Sequence, residues 1–450
     1  MKRLTTARRC LATATVLAVA SLSLAACGGG SDSTSTKIAK TAPAKLTGTI
    51  SFYHFFADRE AKVIQSVVDD FVAANPGVKV NVHSGQDDEK VQKAISSGNG
   101  VDVALSYSTD IVGKFCSTGA FQNLSAYIKR DKVDLSQLTD TVKSYTEYKG
   151  VRCTMPALAD VYGLYYNKDM FAKAGITSPP KTLTELKADA DKMTTFNSDG
   201  SIKTLGFNPM MGFYENSAAH YGPAADASWL DSDQKSAISA SPGWTELMTW
   251  QKKYVDDIGY AKLQRFTAGL GQEFTGGNAF QKGKVAMNMD GEYRTAFIDD
   301  QAPKLNYGTA PFPTADDHTD LYGSGYITGN IAGIAKNSKN PELAWAFLKY
   351  LTTDTDAVVK LANGLKNVPT TADALKSPDL EATPQFKTFL DIAADPHTST
   401  TPASPVGAGY QQSFENYWLK YQDGKGGDLA AGLKKIDKQI NDAVQLATGP

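Results

Sequence analysis

Residues 49–82, TISFYHFFADREAKVIQSVVDDFVAANPGVKVNV, hold three elements in succession. Residues 49–55 are a β-branched and aromatic run, which suits a pleated, half-buried strand. Residues 62–74 place Val63, Ile64, Val67, Val68, Phe71 and Val72 at helical spacing, and Asn75-Pro76-Gly77 stops the helix. Residues 78–82 alternate apolar and polar, as a strand with one buried face does. Further out, residues 89–97 read as a short helix and residues 101–107 as the next strand. Short strands separated by single helices call for βαβ units around a largely parallel sheet. Ligands of such sheets bind beyond the carboxyl ends of the strands. His54, Phe55, Asp58, Gln86, Tyr107 and Asp110 fall at or just past those ends, so they are candidate ligand contacts.

A second α/β region begins near Ala159, with a strand over 161–167 and a helix over 168–174 ended by Gly175. Pro179-Pro180 rigidify a turn, and Thr182-x-x-Glu185 is a capping box opening another helix. Asn340-Pro341-Glu342 gives an N-cap and a first-turn proline for a helix over 343–351. Leu429, Leu433, Ile436, Ile440 and Val444 recur at helical spacing, an amphipathic helix that closes the chain. No internal repeat of solenoid period is present.

The chain has 450 residues, 46 basic against 48 acidic, and 42% hydrophobic residues. That balance is globular, too apolar for disorder and too polar for a multi-span membrane protein. It offers no basic footprint for nucleic acid. The length exceeds one compact core and predicts two domains or three. Lys2, Arg3, Arg8 and Arg9 precede an uncharged apolar stretch over 11–26, the pattern of a secretory signal peptide. Leu24-Ala25-Ala26-Cys27 resembles a bacterial lipobox, in which the Cys is acylated and becomes the first mature residue. Residues 27–45 then read as a flexible tether. Without the four basic residues of the leader, 42 basic face 48 acidic residues, net −6. Cys116 and Cys153 remain as a pair in an oxidising compartment. They form either a bridge closing 37 residues or two buried free thiols.

Reactive constellations are missing. No Ser sits in a G-x-S-x-G elbow, no His of the five in H-E-x-x-H, and no Gly-Lys is followed by Ser or Thr. Asn197-Ser198-Asp199-Gly200 falls short of an EF-hand loop and reads as a turn. Asp87-Asp88-Glu89 and Asp316-Asp317 read as solvated carboxylates of helix starts or loops. No metal or cofactor is expected.

Four segments carry a resemblance. The first runs from Tyr148-Lys149-Gly150 through Met155-Pro156 to Asp160-Val161-Tyr162-Gly163-Leu164-Tyr165-Tyr166-Asn167-Lys168-Asp169, with Pro179-Pro180-Lys181-Thr182 beyond. The second is Asn278-Ala279-Phe280 with Gly283-Lys284-Val285-Ala286-Met287, closing on Asp290-Gly291-Glu292-Tyr293. The third is Ala310-Pro311-Phe312-Pro313 with the Gly-rich Tyr322-Gly323-Ser324-Gly325-Tyr326; the fourth is Glu342-Leu343-Ala344-Trp345-Ala346-Phe347-Leu348. Together they resemble the carbohydrate-binding, maltose-binding-protein-like branch of the solute-binding proteins of ABC importers. The resemblance implies a two-lobed α/β fold, each lobe a largely parallel sheet flanked by helices, with hinge crossings and a C-terminal helical region. By position the N-terminal lobe takes 46–157 plus 327–368 and the C-terminal lobe 158–326 plus 369–450. The crossings fall near Pro156–Asp160, Gly325–Gly329 and Pro369.

Sugars present an apolar C–H face and a belt of hydroxyls, so their sites pair aromatic platforms with charged or amide groups. Carried over by motif position, Asp160 is the hinge acid that binds hydroxyls, with Tyr162 on the strand behind it. Tyr293 is the stacking aromatic, flanked by Asp290, Glu292 and Arg294. Ser324 and Tyr326 stand at the second crossing. Trp229, in a loop, and Tyr410 are candidate walls of the cleft, whereas Tyr165, Tyr166, Trp250 and Trp345 read as core. Implied partners are a mono- or oligosaccharide, the permease subunits of an ABC transporter, and the membrane through the lipid anchor; a monomer without nucleic acid is expected. Two rival readings stand beside it: a secreted glycoside-processing enzyme using Asp160 with Asp290 or Glu292, and a binder of polyols or other small solutes.

Overall fold

The computed structural model describes residues 38–449, and the compact unit beginning at Ala39 holds every element named below. The leader and Cys27 lie outside the described residues, as does most of the tether. The expected opening is realised as β1 (Gly48–His54), α1 (Asp58–Ala74), β2 (Val78–His83), α2 (Asp88–Ser97) and β3 (Val103–Ser106). Helix α1 starts earlier than its apolar stripe, because Asp58 and Glu60 form an acidic first turn that complements the helix dipole. Its stripe buries Ile64, Val67, Val68 and Phe71. Phe71 and Phe52 of β1 both meet Phe347, with ring centroids 5.1 and 5.0 Å away.

The remaining strands are β4 (Glu147–Tyr148), β5 (Val151–Arg152), β6 (Met155–Asn167), β7 (Thr195–Phe196), β8 (Ile202–Phe207), β9 (Val285–Gly291), β10 (Tyr307–Ala310), β11 (Ile327–Ile334) and β12 (Val368–Pro369). Apart from the small β4–β5 pair they form one path, β2-β1-β3-β11-β6-β9-β8-β7, with β10 and β12 also paired on β6. The expected parallel pairing holds where β1 meets β2 and β3 and where β8 meets β9. It gives way to antiparallel pairing wherever β6 or β11 is a partner.

Strand β6 organises the molecule. Its first half, Met155 to Val161, pairs with β11, and its second half, Tyr162 to Asn167, pairs with β9 and β10. The hinge crossing expected near Pro156–Asp160 is therefore the middle of one 13-residue strand. The ladder shifts register between Asn330 and Ile331, opposite Leu158 and Pro156, where proline has no N–H to donate. Strand β12 adds a third pairing at Ala159 and Leu158.

Capping follows the sequence in one case and departs from it in another. Thr182 accepts from Glu185 N at 3.2 Å and starts the helix Leu183–Met193, while the Glu185 carboxylate accepts from Lys181 N at 2.7 Å. Asn340 precedes the helix Pro341–Thr353 without capping it, because its side chain donates to Thr49 O at 2.8 Å. The last helix, Leu429–Thr448, buries Leu433, Ile436 and Ile440 in a cluster with Trp244 and Trp418. Cys116, on α3 (Ile111–Ser117), is disulfide-bonded to Cys153, just before β6, with Cα atoms 5.5 Å apart. Among the described residues no helix is long and apolar enough to cross a membrane.

Candidate ligand-binding site

A cavity of about 560 Å³ opens beside the middle of β6. One wall is the chain leaving β1, from Phe55 to Glu60, with Tyr107 just after β3. The floor is Asp160 and Tyr162 on β6, Asn330 on β11, and Asn367 ahead of β12. The opposite wall is Glu215, Phe274, Tyr293 and Phe297. Asp58 holds a left-handed φ of 47°, and Tyr214, next to Glu215, one of 49°. Both are strained for residues with a Cβ, and both aim a carboxylate-bearing turn at the cavity.

Aromatic surfaces face each other across this space. Phe55 stands edge-on to Tyr107 at 5.1 Å, and Tyr293 edge-on to Tyr162 at 6.3 Å. Phe274 lies 6.1 Å from Tyr293 and 5.5 Å from Phe297. Tyr107 is 53% exposed and Phe274 52%, so apolar ring surface on both walls stays open to an incoming molecule. His220 stacks on Tyr162 at 3.7 Å, and its Nδ1 bonds Glu215 O at 2.6 Å, which fixes the ring that supports Tyr162. Burial lowers His220 to about 4, so this imidazole is neutral.

Acids dominate the polar lining. Asp160 accepts from Asn330 Nδ2 at 3.3 Å and from Asn367 Nδ2. Burial, then the charges of Glu215 and Glu60, push Asp160 up to about 8. Tyr293 OH donates to Glu215 Oε1 at 2.5 Å, yet burial still raises the Glu215 carboxyl. Behind that wall Glu273 is held up at about 10 by burial and by the charges of Glu215 and Asp290. Carboxylate oxygens of Glu215, Glu273 and Asp290 lie within 4.8 Å of one another. The cation among them is Arg294, whose Nε sits 2.7 Å from Asp290 and whose Nη2 sits 3.4 Å from Glu273.

Of the residues expected to hold ligand, Phe55, Asp58, Tyr107, Asp160, Tyr162 and Tyr293 come together around the cavity. Others do not reach it. His54 is fully buried beside Phe52 and Phe56, because the two-residue period of β1 points it into the core with Ile50 and Phe52. Gln86 donates to Ser84 O at 2.9 Å in its own turn. Asp110 accepts from Gln411 and from Thr401, tying α3 to the C-terminal region. Asp290 and Arg294 are buried in their mutual ion pair. Glu292 is buried too, accepting from Val161 N at 2.6 Å and Asn367 Nδ2 at 2.7 Å.

Trp229 packs edge-on against Trp244, Tyr410 and Phe414 in the core, so neither it nor Tyr410 walls the cleft. The Tyr410 hydroxyl donates to Pro402 O. Ser324 and Tyr326 line a separate void of about 10 Å³ behind Tyr162. Sequence reasoning missed Phe56, Arg59, Glu60, Glu215, Phe274, Phe297, Asn330 and Asn367. The strand-end rule that found Asp58 covers Arg59 and Glu60 equally, and the third crossing pointed toward Asn367. Glu215 and Phe274 sit in irregular segments whose sequence carries no periodic signal.

The model of the family described as bacterial extracellular solute-binding protein matches residues 57–358. The maltotriose-binding protein of Pyrococcus abyssi is 24% identical over 401 residues, covering 88% of this chain and 82% of that protein. The solved mannobiose complex of CpMnBP1 superposes with a TM-score of 0.78 at 26% identity, covering 87% of this chain and 99% of that one. The maltose/maltodextrin-binding domain MalE of Bdellovibrio bacteriovorus, bound to maltotriose, shares the fold at a TM-score of 0.67 and 22% identity, over 87% of this chain and 99% of that one. With two lobes meeting at β6 and a family match that spans most of its length, this chain belongs to the bacterial extracellular solute-binding proteins.

Proposed function

We propose that this protein captures a carbohydrate in the cleft beside β6 and delivers it to the permease of an ABC importer. The observation that carries the reading is the pairing of Tyr293, a half-buried aromatic ring, with Asp160, an acid mid-strand, in one cavity reached from both halves of the sheet. A saccharide there lays its C–H face on Tyr293 and Tyr162 and gives its hydroxyl protons to Asp160, Glu215 and Asn330. The walls approach one another across β6, so a ligand touching both favours the closed arrangement. In this reading the lobes are 46–157 plus 327–368 and 158–326 plus 369–450. Acylated Cys27 and a tether over 27–45 hold the body, as a monomer, on the outer face of the cell membrane.

Binding without chemistry fits the side chains. The glycosidase reading pairs Asp160 with Asp290 or Glu292, but Asp290 is neutralised by Arg294. Asn367 Nδ2 donates to both Asp160 and Glu292, holding those carboxyls side by side. A glycosidase needs its two carboxyls on opposite sides of the scissile bond, about 5 Å apart or more. Thermal-shift titration with a panel of mono-, di- and oligosaccharides and polyols tests the proposal. At least one saccharide should raise the melting temperature and be recovered intact after prolonged incubation. Silence across the panel contradicts carbohydrate capture, and hydrolysed product contradicts binding without chemistry.

A further inference from the structure

The lining of the cleft is unbalanced in charge and in hydrogen-bonding capacity. Asp58, Glu60, Asp160 and Glu215 line the cavity, and Arg59 is the one basic side chain among the lining residues. Arg59 is partly engaged: Nη1 donates to Gly364 O at 2.6 Å and Nε lies 3.3 Å from Asp300, while Nη2, 3.8 Å from Glu60, has no hydrogen-bond partner. Behind the wall Arg294 serves Asp290 and Glu273. Asp160 and Glu215 are left with neutral donors, the amides of Asn330 and Asn367 and the hydroxyl of Tyr293.

Asn330 is a second, independent observation. It is 2% exposed, its Nδ2 is turned to Asp160, and its Oδ1 has no hydrogen-bond partner. A buried acceptor without a donor is costly and calls for a partner. The cavity thus has Asp160 and the unpartnered amide oxygen of Asn330 on its floor and Glu215 on the opposite wall, and Arg59, turned toward Gly364, Asp300 and Glu60, is the one cation among the lining residues. A hydroxyl offers one proton to such a group, whereas an ammonium offers three and a charge.

We propose that the cleft takes a saccharide bearing a protonated amine, its ammonium seated against Asp160, Glu215 and the free Oδ1 of Asn330 with a sugar ring on Tyr293. This rests on the carbohydrate reading of the same cleft and narrows it to basic sugars. The groups facing Asp160 are Glu215, Glu60, Glu292, Tyr145, Tyr162 and Tyr326, none of them cationic. Burial among them favours a protonated Asp160 in the empty cleft, and a bound ammonium restores the carboxylate. Binding of a basic sugar therefore releases a proton, which binding of its neutral parent does not.

Calorimetric titration of the whole mature chain with matched pairs decides the matter. The probes are the 2-amino and 6-amino derivatives of glucose, galactose and mannose and of their disaccharides, each against its neutral parent. At least one amino sugar should bind about tenfold tighter than its parent at about pH 6.5, where sugar amines are charged. The gap should shrink as salt is raised. Heats in buffers of different ionisation enthalpy should show proton release for that sugar alone. Asp160→Asn and Glu215→Gln should each cut the preference about fivefold or more, whatever they do to absolute affinity. If either variant does not fold, the salt dependence and proton release of the native protein stand as the test. Parents binding as tightly as amino sugars in every pair, or a preference untouched by both substitutions, overturns the inference and leaves carbohydrate capture standing. Failure of both series to bind overturns carbohydrate capture and the inference together.

Discussion

Tyr293 can lie across the cleft because the residue two before it has no side chain. A Cβ on Gly291 would come 2.2 Å from Tyr293 Cε1, so Gly291→Ala must push the ring out of place. Asp160→Ala and Tyr293→Ala should each cost about 1–3 kcal/mol of ligand binding, the loss of a charged hydrogen bond or an aromatic contact. Gly291→Ala should weaken binding in the same direction while leaving both groups present; calorimetric titration of the three variants checks this. Asp160 and Tyr293 could be placed together from the sequence because their motif positions pointed to one cleft, and both line the cavity. Neighbouring charges could not: Asp290, Glu292 and Arg294 stand within five residues of one another, and only burial shows that they bond each other and the backbone instead of a ligand. His54 could have been read correctly from alternation, since Ile50, Phe52 and His54 share the buried face of β1 while Phe55 follows its end.

At the scale of elements, the early βαβ pattern was plain, because its apolar periods are clean and Asn75-Pro76-Gly77 breaks them. Strand β6 was harder. Pro156 and Asp160 interrupt its apolar run, so only the half from Val161 reads as a strand. The whole length pairs because Pro156 falls at a register shift and Asp160 turns to the cleft. The disulfide ties α3 to the approach of that strand. Closing 37 residues, it restricts the unfolded chain by about 4 kcal/mol in the chain-entropy model. Cys116→Ser with Cys153→Ser should lower unfolding free energy by up to that amount in a denaturant titration. Because neither sulfur lines the cleft, the folded double variant should keep its affinity for ligand.

For the whole molecule, the buried acids set how stability follows pH. Asp160 lies up at about 8 and Glu273 at about 10, and Glu292 is well above the usual carboxylate range, all chiefly through burial. Unfolding returns them to ordinary values, so the folded protein holds more protons and loses stability as pH rises. His54 and His220, lowered by burial to about 4, act the other way, but only up to the ordinary histidine value of 6.5. Between about pH 6.5 and 8 the acids act alone, and the melting temperature of the ligand-free protein should fall. Asp160→Asn should flatten that fall in calorimetric scans; a melting temperature that rises through the interval contradicts it.

The net −6 charge expected for the mature chain becomes specific in the cleft, where four carboxyls line the cavity beside one arginine. Length alone pointed to more than one core. The two halves of the sheet joined along β6 give that length a use, as walls that close on a solute. A crystal structure of the protein with a saccharide that raises its melting temperature tests this most directly. The expected density is a sugar ring against Tyr293 with polar groups on Asp160 and Asn330, enclosed between Tyr107 and Phe274. A saccharide bound outside this cavity, with Asp160 and Tyr293 untouched, would contradict it.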